Sequence, residues 1–324
     1  MGPNPTRRLV LLAGSLAATP LAAWSQARYP SRPVRFVVPF APGGGSDFTA
    51  RQVALRLAES HGYEIQVENR PGTGGSVGAD YALREPPDGY TLLVISGSYA
   101  GNAVLNKPAF DPVTAIRPIV QFTREPLVLA VAPDSPCRSL DELVRKARQS
   151  PTAVRYGSPG TGSFVHLSTE YLALLAGVKF NHIPYRGTGA ALADLAEGRI
   201  DFMLAGTTSV VPSVKAAKVR PLAVGAARRL APLPDVPTFA EAGLSGFDLH
   251  LWHGLVAVKA VGGDVTAKLN ADVNAVLRDR VVTARLLADG VTPVGGTPEQ
   301  FEQVIRDDME RWRRIVRQRN IRAE

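Results

Sequence analysis

A single cysteine, Cys137, stands in 324 residues. No intramolecular disulfide can form, and no cysteine-rich metal site can be built. Histidine is scarce, with five in all. Only His250 and His253 lie close enough to suggest a metal pair; lacking a third ligand, and set among strand-forming neighbours, they read as packing residues, and no metal is expected. No glycine turn runs on into Gly-Lys-Ser/Thr, which removes the phosphate loop of nucleotide-binding enzymes. Gly72 and Gly74 lack a third glycine in register and an acid after the following strand, so no dinucleotide cofactor is expected either. Long apolar runs are confined to residues 9–23, a stretch broken by Thr19 and Pro20 and shorter than the roughly 20 residues a bilayer-spanning helix needs. Repeats and low-complexity linkers are missing, so any domain boundary is crossed by short segments.

What is present begins with an export pattern. Arg7 and Arg8 precede the apolar run, and Ser25, Gln26 and Ala27 follow it. Residues 1–27 therefore read as a signal peptide cut before Arg28, with a general secretory or a twin-arginine route left open. Its removal takes away two arginines and no acid, lowering the formal charge from +8 to +6. An exported chain with no disulfide and a sizeable apolar fraction is expected in a bacterial periplasm. The arginines of 306–322 are interspersed with Asp307, Asp308 and Glu310. They read as the solvated face of a docked helix, with no nucleic-acid partner and no catalytic acid pair.

From residue 34 onward, β-branched runs alternate with helical periodicity. Strands are expected at 34–40, 64–68, 91–95, 127–132, 199–204 and 221–225. Ala50, Val53, Ala54 and Leu57 fall on one helical stripe. So do Val265, Leu269, Val273 and Val276, and so do Ile305, Met309, Trp312 and Val316. Ser139 with Glu142, and Thr297 with Gln300, read as helix-start boxes. The alternation predicts α/β layers with mainly parallel sheets.

Two glycine-rich turns each join a strand to a helix: 39–47 (PFAPGGGSD) and 156–163 (YGSPGTGS), the second followed by His166. Such junctions present backbone N–H groups at the positive end of a helix and so favour anions. Ser46, Ser158, Thr161, Ser163, Ser96 and Ser98 cluster at the same strand ends, the usual place of a ligand cleft in open α/β sheets. No arginine is obligatory in this pattern. A carboxylate would be held mainly by backbone dipoles and ordered water. A competing pattern is the G-x-S-x-G of residues 74–78, which would make Ser76 the nucleophile of a secreted serine hydrolase. Pro71 and Gly72 already end the strand before it, and no histidine sits in a partner context.

Several segments together resemble the Bug proteins, the TctC-like extracytoplasmic solute receptors of tripartite tricarboxylate transporters. They are 29–47 (YPSRPVRFVVPFAPGGGSD), 68–75 (ENRPGTGG), 87–93 (PDGYTLL), 156–167 (YGSPGTGSFVHL), 183–187 (IPYRG) and 235–243 (DVPTFAEAG). The resemblance implies a type II periplasmic-binding-protein fold. One α/β domain would comprise residues 28–126 and 246–324, a second 127–245, and the ligand would lie in the cleft between them. It implies a receptor rather than an enzyme, one that captures a small carboxylate and passes it to the membrane components of such a transporter, with a monomer as the default. Presentation of the ligand to a membrane sensor kinase is the alternative. Carried over by position, one jaw is Phe40, Ala41, Gly43, Gly44 and Asp47, with Asp47 ordering its own loop. The other is Ser158, Gly160, Thr161, Gly162, Ser163 and His166, with His166 as a positioning donor. Gly74, Ser96, Ser98, Ala205 and Thr207 would line the remainder. Two departures from the family pattern stand out. Residues 258–263 (VKAVGG) replace a proline-rich stretch, which would alter the hinge side of the cleft. Phe164 replaces a small polar residue, which would favour an apolar ligand body.

Overall fold

The computed structural model describes residues 29–106, 111–151 and 153–323; the expected signal peptide lies outside them. In chain order the first part is β1 (Val34–Val38), α1 (Gly45–His61), β2 (Ile65–Asn69), α2 (Ser76–Leu83), β3 (Thr91–Ser96), α3 (Gly97–Asn106) and β4 (Ile116–Val131). Next come α4 (Leu140–Gln149), β5 (Arg155–Ser158), α5 (Phe164–Ala176), β6 (Asn181–Pro184), α6 (Thr188–Ala196), β7 (Phe202–Gly206), α7 (Thr207–Lys215) and β8 (Arg220–Val224). The chain then returns through β9 (His250–Val258), α8 (Gly263–Leu277), α9 (Arg280–Ala288), β10 (Thr292–Gly295) and α10 (Pro298–Arg319).

One sheet has the order β2-β1-β3-β9-β4, with β10 also on β4; the other runs β4-β7-β5-β6, with β8 also on β4. The long strand β4 belongs to both. Residues 116–126 pair with β9, and residues 127–131 pair with β7 and β8. The expectation of mainly parallel sheets needs correction. Only the outer strands pair in parallel, β1 with β2 and β3, and β5 with β6 and β7. Because β4 and β9 carry the chain between the two layers, every pairing they make is antiparallel.

The expected helical stripes are buried: Ala50, Val53 and Leu57 on α1, Leu269 and Val273 on α8, Ile305 and Trp312 on α10. Thr297 and Gln300 form the full reciprocal capping box with Pro298 in the first turn. At α4 the Ser139 hydroxyl accepts from Glu142 N–H, but the Glu142 carboxylate accepts from Arg138 N–H rather than from Ser139. Asp308 corrects the surface reading of the Asp307–Asp308 pair. It is buried and accepts from Trp252 Nε1 at 2.7 Å and from Arg311. Burial raises its pKa to about 6, against the opposing pull of Arg311 and Trp252.

The apolar core does not stop where β4 changes sheets. Val37, Leu93 and Ile95 belong to one cluster with Val128, Leu172 and Phe202. Within it, α10 sets Trp312 edge-on to Phe164 at 5.2 Å. A second cluster, around Phe36, Leu92, Val53 and Leu269, fills the other face of the first sheet.

Candidate functional site

A cavity of about 220 Å³ opens between the two layers. Its walls are the first residues of helices from both. Gly44, Gly45 and Ser46 start α1, Ser96 and Ser98 flank the start of α3, and Phe164 and Val165 open α5. Residues 187–190 carry the start of α6, and Gly206 precedes α7. The N-caps of α1 and α6 are glycines with no side-chain cap, so their first N–H groups are not satisfied from within the helix. No carboxylate lines this cavity, whereas Arg186 does. Among the described residues Arg186 makes no ion pair. Helix N-termini and an unpaired guanidinium around a space free of acids make an anion site.

The first glycine turn is held from behind. Gly43 N–H donates to Asp47 Oδ2 at 3.0 Å, Arg51 Nε donates to both Asp47 oxygens, and Asn69 Nδ2 reaches Asp47 Oδ1 and the Phe40 carbonyl. Burial works against the Asp47 charge, but the bonds from Arg51, Gly43 and Asn69 outweigh it and hold the carboxyl below its ordinary pKa. Asp47 therefore shapes the loop from outside the cavity.

The second turn is braced in the same manner. Ser158 Oγ bonds His182 Nε2 at 2.7 Å and shares bonds with both the N–H and the carbonyl of Gly160. Ser163 caps α5 by accepting from His166 N–H. Gly162 N–H donates to His166 Nδ1 at 3.1 Å. His166 thus accepts at Nδ1 from its own turn, which leaves the proton of the neutral ring on Nε2. Stacked 4.0 Å from His182 and pushed by burial to a pKa of about 4, it stays neutral.

Of the expected site residues, Phe40, Ala41, Gly44, Ser96 and Ser98 line the cavity. Gly74, Gly160 and Thr161 line a neighbouring opening of about 350 Å³, which shares Phe40, Pro159 and Arg186 with the first. Ala205 is buried in β7, and Thr207 is buried where its hydroxyl donates to Glu125 Oε2 at 3.0 Å. Thr208 adds its N–H at 2.8 Å and its hydroxyl, so Glu125 occupies the N-terminus of α7. Burial raises the Glu125 pKa to about 7 against those three donors.

Phe164 touches the cavity, but its ring lies against Gly97, where a Cβ would come within 2.3 Å of it, and against Trp312. It therefore joins the two layers as well as lining the cavity. Residues 258–263 are not among those that line the cavity. Ser76 starts α2 and donates to the Thr73 carbonyl at 3.0 Å, with no histidine engaging it among the described residues. The expectation that no arginine is obligatory left out Arg186, which lines the cavity. Residues 187–190, Leu251 and His253 were missed as well. For Arg186 the signal was present in the IPYRG segment; His253 reaches the cavity only through sheet pairing.

Two α/β layers sharing one long strand, with a cavity rimmed by helix N-termini, define a solute receptor of the periplasmic-binding-protein fold. The periplasmic binding protein BugD is similar to this chain with a TM-score of 0.86 at 30% identity, covering 91% of this chain and 100% of BugD. The chain belongs to the tripartite tricarboxylate transporter family receptors, whose pattern it matches over residues 49–321. BugT of Bordetella pertussis is 34% identical over 319 residues, covering 97% of this chain and 98% of BugT. An R. palustris protein solved with adipate has a TM-score of 0.87 at 34% identity, covering 91% of this chain and 99% of its own. MatC of Rhodopseudomonas palustris, with bound malate, gives 0.84 at 33%, covering 89% and 100%. The family and these neighbours are solute-binding receptors, not enzymes.

Proposed function

We propose that this chain is an exported, monomeric receptor that closes on a small carboxylate between its two layers and hands it to the membrane components of a tripartite tricarboxylate transporter. One jaw is carried on residues 28–126 and 246–324, the other on 127–245. The observation that carries this reading is the convergence of the uncapped α1 and α6 N-termini with Arg186 on one acid-free cavity. Gly44, Gly45 and Ser46 offer backbone N–H groups from one side, residues 187–189 from the other, and Arg186 supplies the one full positive charge. The adipate and malate held by two relatives support carboxylates as the solute class. The N-terminal charge-and-apolar pattern supports export.

The test is thermal and chemical unfolding of the purified protein against a carboxylate panel that includes malate and adipate. A solute at a hundredfold excess over its Kd raises stability by about 2.7 kcal/mol. Arg186→Ala weakens that solute by about 1.5–3 kcal/mol, the worth of a hydrogen bond to a charged group. A panel without a single shift refutes the proposal.

A further inference from the structure

β3, β9 and β4 run side by side, and their register makes His253 the neighbour of Ser96 on one side and of Thr123 on the other. Ser96 and His253 both line the cavity. The imidazole is 1% exposed and held at one end: Nδ1 lies 3.3 Å from Thr123 Oγ1 and 4.0 Å from Glu125 Oε1. Its Cε1 lies against Gly45, where a Cβ would approach it to 3.3 Å. Nε2, the far end of the ring, is buried and has no hydrogen-bond partner. A buried ring nitrogen left in that state is uncommon in folded proteins and calls for an explanation.

Gly45 supplies that explanation, because it is at once the first residue of α1 and the neighbour of the His253 ring. A carboxylate seated at the start of α1 brings its own adjoining carbon to the imidazole. We infer that His253 is the specificity residue of the cleft, its Nε2 pairing with a hydroxyl group on the carbon next to the anchored carboxylate, so that the solute is a hydroxy acid. A hydroxyl both donates and accepts, so it satisfies Nε2 in either tautomer of the neutral ring. The inference rests on the carboxylate reading and adds to it the chemistry of the neighbouring carbon.

Two substitutions separate ligand contact from support of the sheet. His253→Asn keeps a polar atom near the Nδ1 position and Thr123 but removes the Nε2 position; His253→Gln does the reverse. The experiment is calorimetric titration of the full-length mature protein with malate against succinate and with lactate against propionate. Wild type prefers the hydroxylated member of at least one pair. His253→Asn reduces that preference about tenfold, the loss of one hydrogen bond to a buried group. His253→Gln keeps it within about threefold. Wild-type binding without preference, a preference intact in the Asn variant, or equal loss in both variants overturns the inference while leaving the carboxylate reading standing. Failure of every carboxylate to bind wild type overturns both.

Discussion

Glu125→Gln offers the sharpest energetic test of this site. The Glu125 carboxyl is fully buried and accepts from Thr207 Oγ1, Thr208 N–H and Thr208 Oγ1 at 2.8–3.1 Å. Burial outweighs these donors, lifting its pKa from an ordinary 4.5 to about 7. A carboxyl that holds its proton more tightly folded than unfolded lends the fold stability at low pH. That stability is fully present below about pH 4.5 and is lost as pH rises through about 7. The displacement is worth about 3 kcal/mol. Gln is isosteric, keeps an oxygen for Thr208 N–H, lets the two hydroxyls reorient, and has no charge to bury. Urea unfolding of wild type and Glu125→Gln at several values between pH 4.5 and 8 isolates the group, because His253, His166 and Asp308 titrate in both proteins. The variant should gain on wild type by about 3 kcal/mol across that interval, most of it by pH 7. Stability curves that stay parallel from pH 4.5 to 8 would refute the account of a carboxyl poised by burial.

The remaining predictions concern the turns and the seam between the layers. Gly44 has φ −83°, and a Cβ there meets nothing closer than 3.8 Å; Gly44→Ala should leave the melting temperature unchanged, whereas Gly44→Val, reaching into the cavity, should abolish carboxylate binding by calorimetry. Gly162 sits at φ +79° with Asn102 Oδ1 only 2.7 Å from a Cβ, so Gly162→Ala should cost about 1–3 kcal/mol in denaturant unfolding. Phe164→Ala should cost about 3–5 kcal/mol, since it empties a buried site against Trp312 and Gly97; a loss below 1 kcal/mol in the same assay would mean the ring does not join the layers. Asp308→Ala strips Trp252 Nε1 and Arg311 of their partner and should destabilise by about 3–5 kcal/mol, with Asp308→Asn recovering part of that.

Local signals were readable wherever a residue's neighbours in sequence are also its neighbours in space. The α1 stripe and the Thr297–Gln300 box are of this kind, and both appear where the periodicity puts them. The first half of β4 was not. Arg117, Pro118, Gln121, Thr123, Arg124, Glu125 and Pro126 gave no strand signal, since polar side chains and proline do not announce a strand. They form one because β9 and β10 supply the pairing from far along the chain. The site divides in the same way. Glycine and serine at strand ends located both turns, but not which N–H groups remain for a solute. Gly43 and Gly162 spend theirs on Asp47 and His166, choices made by side-chain packing. His253 enters through a cross-strand register that no local spacing encodes.

β4 also constrains how the two halves would move in the proposed closure. Its backbone is bonded to β9 and β10 before Pro126 and to β7 and β8 after it, so the strand can neither stretch nor slide. The freedom left to it is torsion. Proline brings no amide hydrogen to its rung opposite His250, and the partners change at the next residue, so the tether is weaker there. A twist there would turn the first turn of α7 relative to Glu125, the start of α1 and the His253 ring. If the halves close on a solute as proposed, hinge and seat share the residues around Pro126, and a change that stiffens one retunes the other.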